Sequence, residues 1–272
     1  MSLRRYWVEM TSDDFIGLDP HTTVAILPVG AVEQHGPHLP VYVDSCINAE
    51  LLARLMAAAP PDLAITALPL QTVGKSNEHQ AFPGTLTLTA ETLTRVCCEL
   101  GESVRRASIR KLVLLNSHGG QPQIMDIVAR ELRVREKMFV VHAGWGSAAD
   151  VSDLFDVDER KYGIHGGEAE TSMMLHLRPD LVHMERAGNF VSLMHAMGAD
   201  YRWLTPEGRV GFGWQSQDLH PSGASGNASA ATADKGRIMT ERCVTGMIDL
   251  LREVARYPLD RIVDRHNGSV RE

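Results

Sequence analysis

The chain is expected to form a layered α/β fold around a mostly parallel sheet. Two observations predict it. Brief apolar runs rich in branched residues recur along the sequence, and longer segments of helical period separate them. Each run also ends near Gly, Pro or a polar cluster, the expected look of strands buried on both faces. Strand–helix–strand repetition of this kind favours a parallel sheet, and such sheets bind ligands at the carboxyl ends of their strands.

The first run, TVAILPV (23–29), is followed by a polar junction and then by the helix-like INAELLARLMAAA (47–59). The second is LAITALPL (63–70). From Thr89 to Arg106, Leu93, Val96, Cys97, Leu100 and Val104 fall at steps of three or four, with Thr89 placed to cap the helix and Glu91 facing its positive end. The third run is KLVLLN (111–116). Pro122 suits a first helical position, and Ile124, Ile127, Val128 and Leu132 continue an apolar stripe. MFVVHA (138–143) is the fourth run, and Val244, Met247, Ile248 and Leu251 mark a last helix. Residues 188–230 carry Gly, Ser, Trp and Pro without a period and read as loops or short strands at a surface or subunit contact.

At 272 residues the chain suits one domain, 1–272, and 44% hydrophobic with 22% charged residues argues against disorder. A formal charge of -7 speaks against a nucleic-acid surface. No window reaches the length of a membrane span and the N-terminus lacks an apolar signal stretch, so a cytoplasmic protein is expected. Cys46, Cys97, Cys98 and Cys243 show no paired spacing and read as free thiols.

Three polar clusters lie where a strand or loop hands over to a helix. The first is GAVEQHGPHLPVYVD (30–44). Along an extended segment Glu33 and His35 project to the same side, and carboxylate with imidazole is a donor set that Zn2+, Mn2+ and Fe2+ accept. Asp44 is either a further donor or a helix N-cap. His38, between Pro37 and Pro40, reads as structural. The second cluster, LLNSHGGQ, puts His118 at a strand end; a phosphate loop is disfavoured there because no GxGxxG or GxxxxGK pattern is present. The third, GIHGGEAETSMMLHL, holds His165, Glu168 and Glu170 at a helix start, where the two glutamates are also explained by the positive helix end.

At these residues the sequence resembles the creatininase (creatinine amidohydrolase) family. The resemblance is carried by E-Q-H-G-P-H-L-P with an aspartate following, N-S-H-G-G-Q and H-G-G-E-A-E-T-S. S-N-E-H (76–79) and F-P-G-T-L-T-L (82–88) add to it, and together it spans residues 5 to 257. It implies a three-layer α/β/α sandwich, a homohexamer, and two divalent metal ions per subunit at the sheet's carboxyl edge, used to hydrolyse C–N bonds in small amides. By position, Glu33, Asp44 and His118 would hold one metal and His35 and Glu170 the other, with Asp44 bridging; His165 matches the proton-transfer histidine. Zn2+ is the first expectation for the ions, with Mn2+ or Fe2+ as alternatives.

The sequence departs from creatininase proper at two places. Gly119-Gly120 stands where creatininase has Tyr-Glu, so an acid must come from elsewhere, and Glu168 is the candidate. Lys161 and Tyr162 stand where creatininase has a tryptophan and an aspartate that touch substrate. Tyr162, Trp145 (which matches a pocket aromatic) and His79 are the candidate substrate contacts. Glu78 beside His79 reads equally well as solvent-exposed. The expectation is therefore a metal-dependent amidohydrolase with a small-molecule amide substrate and no nucleic-acid or membrane partner. The alternatives are hydrolysis of a lactone, formamide or short peptide on the same site, or a non-catalytic metal-binding protein.

Overall fold

The structure is a computed structural model that describes residues 4–263; the first three and last nine residues of the expected 1–272 domain lie outside the described residues. Its centre is a four-stranded sheet in the order β2-β1-β3-β4, built from β1 (Val24–Val29), β2 (Ile65–Ala67), β3 (Lys111–Asn116) and β4 (Phe139–Gly144). Every pairing is parallel, with Val24 opposite both Ile65 and Lys111, and Lys111 opposite Phe139.

The crossover helices are α1 (Val43–Ala58), α2 (Ala90–Arg106) and α3 (Pro122–Glu136). Beyond β4 follow α4 (Val157–Tyr162), α5 (Glu168–Leu177), the short strand β5 (Asn189–Phe190), α6 (Leu193–Asp200), α7 (Ser216–Leu219), β6 (Gly226–Asn227) and α8 (Ala233–Arg256). Strand alternation sorts the core into two layers. Val24, Ile26, Val113 and Leu115 pack with α1, α5 and α8, whereas Ala25, Leu27, Leu112 and Leu114 pack with α2 and α3. The expected α/β/α sandwich is thus formed by side chains that alternate within each run.

Several local expectations hold. Thr89 Oγ1 accepts the N–H of Thr92 at 3.1 Å and caps α2. Pro122 opens α3, where its missing N–H costs no helical hydrogen bond. The four cysteines are free and buried. Among the described residues no helix is long and apolar enough to cross a membrane.

Others are corrected. The second strand is three residues rather than eight: Leu68 N–H still bonds the Ile26 carbonyl, but Pro28 of β1 has no N–H to continue the ladder, and the chain rejoins β1 through Gln71. Asp44 is not an N-cap: α1 begins at Val43 after Tyr42, which places Asp44 inside the first turn. The aperiodic stretch 188–230 holds an antiparallel β5–β6 pair and also α6, anchored by the buried Met194 and Met197 and capped by Ser192.

His38 is buried, with Nε2 against the Thr171 hydroxyl at 2.8 Å. Burial lowers its pKa to about 4. The unfolded chain takes a proton at its ordinary 6.5 that the folded chain refuses. This contribution to stability is therefore complete above 6.5 and is lost as pH falls towards 4. Urea unfolding of chelator-treated protein should show a drop between pH 7 and pH 5, of which about 2 kcal/mol disappears in His38→Gln. An unchanged drop in the variant would assign the acid sensitivity to other groups.

Candidate active site

The three polar clusters meet at the carboxyl edge of β1 and β3. Leaving β1, the chain stays extended through Glu33, whose N–H bonds the Val41 carbonyl at 2.8 Å. His35 donates from Nδ1 to the Glu33 carbonyl at 3.0 Å, which leaves Nε2 bare. That nitrogen lies 3.9 Å from Asp44 Oδ2 and 3.7 Å from Glu170 Oε2. Asp44 reaches this point from the first turn of α1, where the positive helix end favours a carboxylate. Glu170 comes from the first turn of α5 and accepts the Gly166 N–H at 2.6 Å.

His118 follows β3 in a loop braced by amides. Asn116 binds both the N–H and the carbonyl of His118, and Gln121 ties Asn116 to the Gly30 carbonyl. The ring itself is oriented by the Lys75 carbonyl, which faces Nε2 at 2.9 Å. Nδ1 therefore points inward, 3.1 Å from Glu33 Oε1 and 3.8 Å from Asp44 Oδ2. Asn48 of α1 closes the floor by donating to the Val29 and Leu115 carbonyls while accepting Trp145 Nε1–H at 3.3 Å.

Glu33 is the hub. Its Oε1 also lies 3.5 Å from His79 Nε2 and 3.6 Å from His165 Nδ1. His165 Nε2 donates to the Gln34 carbonyl at 2.6 Å, so its inward nitrogen is the bare one. The rings of His35 and His79 lie 4.1 and 4.3 Å from that of His165.

Burial divides these groups by charge. Burial raises the Asp44 carboxyl well above its ordinary value, and the Glu33 charge adds to the rise. For Glu33 the same burial is outweighed by the adjacent His118 imidazolium, which holds it well below the usual carboxylate range. His118 is pushed up reciprocally: burial opposes its charge, but Glu33 and the hydrogen bonds win. His79 and His165 are lowered by burial to about 3 and about 4, so both rings are neutral at pH 7.

Of the ten candidate residues, Glu33, His35, Asp44, His118, His165, Glu170 and His79 are brought together. Trp145 lies beside them, lining a cavity of about 490 Å3 that His118 and Glu170 also border. Two are not. Glu168 turns away, with its carboxylate paired to Lys235 of α8, so it does not supply the missing acid. Tyr162 packs its ring on His195 at 4.3 Å and lines a separate small cavity with Asp156 and Glu159.

Glu78 is the residue the sequence reading missed. It is buried, with Oε2 2.8 Å from Lys75 Nζ and Oε1 3.5 Å from His118 Nε2. The clue available was its place beside His79 in S-N-E-H. The Ser117 hydroxyl, next to His118, donates to the Asp44 carbonyl at 2.8 Å. His142 of β4 lines the Trp145 cavity.

A distant carboxylate fixes the third cluster. Glu159 of α4 accepts the Glu168 N–H at 2.6 Å and the Asn227 N–H at 2.7 Å, tying the start of α5 to β6. Gly163 and Gly167 crowd it so closely that a Cβ on either would lie 2.1 and 2.4 Å from Oε1.

Whether this set suits cations can be judged from its unmet atoms. Glu33 Oε2, His35 Nε2, Asp44 Oδ2 and Glu78 Oε1 are buried without a hydrogen-bond partner. Buried polar atoms are normally satisfied, and these share a space whose donor atoms stand within 4.8 Å of one another in four overlapping groups. Nitrogen and carboxylate oxygen without thiolate is a donor set for divalent ions. The residues fit.

Comparison with known proteins agrees with the geometry. The chain is 33% identical over 249 residues to the mycofactocin precursor peptide peptidase of Mycobacterium tuberculosis, covering 88% of this chain and 87% of that protein. It is 31% identical over 245 residues to the creatinine amidohydrolase of Pseudomonas putida, covering 85% and 89%. A solved manganese form of creatininase superposes with a TM-score of 0.68 at 26% identity, covering 93% of this chain and 98% of its own. The creatininase (creatinine amidohydrolase) family model matches residues 8–251, and the chain belongs to the creatininase family of hydrolases.

Proposed function

We propose that the protein is a divalent-metal-dependent hydrolase of a C–N bond in a small amide. The observation that carries this reading is the convergence of Glu33, His35, Asp44, His118 and Glu170 across gaps of 3.1–3.9 Å, with Glu33 Oε2, His35 Nε2 and Asp44 Oδ2 buried and without a hydrogen-bond partner. Glu33, Asp44 and His118 would hold one cation and His35 and Glu170 the other, with Asp44 shared. Ions bound there would supply Lewis-acid polarisation of an acyl carbonyl and a water of lowered pKa.

The chain's own groups do the rest. His165 keeps its outer nitrogen on the Gln34 carbonyl and turns the other toward the site, so it can take a proton from water and return it to the departing amide nitrogen. Its fixed tautomer removes the need for a ring flip between those transfers. Trp214 and Ile164 line the cavity of about 220 Å3 over Glu33, Asp44 and His165 and limit water's access to it.

A short peptide is the second reading for the substrate. It is favoured by the adjoining cavity of about 490 Å3, whose lining includes Ile47, Met125, Trp145, Met173 and Met239. That apolar trough offers room for side chains beyond a single small ring, and one relative is named as a precursor-peptide peptidase. Exposed Trp203, Val210 and Phe212 supply an apolar surface for the proposed subunit contact.

The test is elemental analysis of protein purified without chelator, followed by assays of cyclic amides, formamides, lactones and short peptides. Two equivalents of a divalent metal and amide turnover abolished by chelation are expected. A protein that takes up neither zinc nor manganese would end the reading.

A further inference from the structure

His118 is held from two sides. Its inward Nδ1 faces Glu33 and Asp44, while its outer Nε2 faces the Lys75 carbonyl at 2.9 Å and Glu78 Oε1 at 3.5 Å. Glu78 reaches the ring from the turn Asn77–His79, with its other oxygen on Lys75 Nζ at 2.8 Å. Glu78 Oε1 is buried and has no hydrogen-bond partner. The space it occupies belongs to Gly120. A Cβ built on Gly120 would lie 1.8 Å from Glu78 Oε1 and 2.5 Å from His118 Nε2. No side chain fits there while Glu78 stands where it does.

We infer that Glu78 is a positioning residue for the cation held by Glu33, Asp44 and His118, and that Gly120 lacks a side chain to admit its carboxylate. This rests on the cation-binding reading above. The Lys75 carbonyl takes the Nε2 proton, which leaves Nδ1 bare for the cation. The Glu78 charge beside Nε2–H makes Nδ1 a more basic ligand and offsets the cation's charge. Glu78 acts through the ring because it sits on the nitrogen that faces away from Asp44. Outer partners of this type typically change metal affinity by about 10–100-fold when removed.

The experiment titrates chelator-treated full-length protein with Co2+ and Zn2+, following the cobalt absorption bands and the stoichiometry. Parental protein should bind two equivalents; if it binds none, the cation reading itself fails. Glu78→Gln and Glu78→Ala should still bind two, with one site weakened by about 10–100-fold, its cobalt spectrum shifted, and the other site unchanged as an internal control. Gly120→Ala should weaken the same site at least as much, and Glu78→Ala combined with it should bind no worse than Gly120→Ala alone. Parental affinity in both Glu78 variants would overturn the inference. Complete loss of one equivalent would also overturn it, by making Glu78 a direct ligand, as would effects of the two positions that simply add.

Discussion

Asp44→Ala protein is expected to purify with neither cation and with hydrolysis reduced by more than about 100-fold, the range that loss of even an outer partner reaches. Asp44 Oδ2 stands between His35 Nε2 and His118 Nδ1, at 3.9 and 3.8 Å, and among the described residues no other carboxylate lies within 4.0 Å of both rings. The isosteric Asp44→Asn should have the opposite effect on the chelated fold. Burial and Glu33 raise the Asp44 pKa, so its charged form opposes folding, and that penalty grows as pH rises through the folded pKa. Asp44→Asn, chelated at pH 7, should therefore be more stable than the parent by about 0.5–2 kcal/mol, a trade of stability for activity. Plasma emission spectrometry of Asp44→Ala and urea unfolding of chelated Asp44→Asn check the two halves. Retention of two equivalents in Asp44→Ala would remove the shared-ligand role.

His165→Ala is expected to retain both cations and to lose turnover by about 10²–10⁴-fold, the usual span for a removed acid–base group. The five proposed ligands do not need His165, whose outer nitrogen is spent on the Gln34 carbonyl. Its inward nitrogen does stand close enough to His35 and Glu170, and to Glu33 and His79, to join either group as a ligand. Metal content separates the two roles. Loss of an equivalent with the histidine would make it a ligand, and turnover at the parental rate would leave it with no chemical part.

The fold was readable because its two periods are clean. Branched runs lie where strands form, and the three-and-four spacing lies on helices that bury one face. Much of the site was readable too, since Glu33, His35, His118 and Glu170 each sit where a strand or loop passes into a helix or turn. Glu168 shows where such reading stops. On a helix, residues two apart point about 200° from each other, so once Glu170 faces the site, Glu168 must face away. The apparent pair at a helix start hid that. Glu78 escaped for a different reason: its place beside His79 was the one clue, while its burial depends on an absent side chain at Gly120 and on Lys75, which no local pattern reports. Tyr162 was misplaced because two residues of irregular backbone, Gly163 and Ile164, separate it from His165, with no period to say which way its ring turns.

Glu159 touches neither substrate cavity wall nor proposed ligand, yet its two oxygens decide where α5 begins. Variants there would misplace Glu170 and His165 together while leaving every chemical group intact. A screen scored on product formation alone would rank this position beside the reacting residues. Relatives that lack an acid at this place would have to rebuild the helix start by other means, so catalytic likeness is better judged from how α5 is anchored than from the histidine and glutamates it presents.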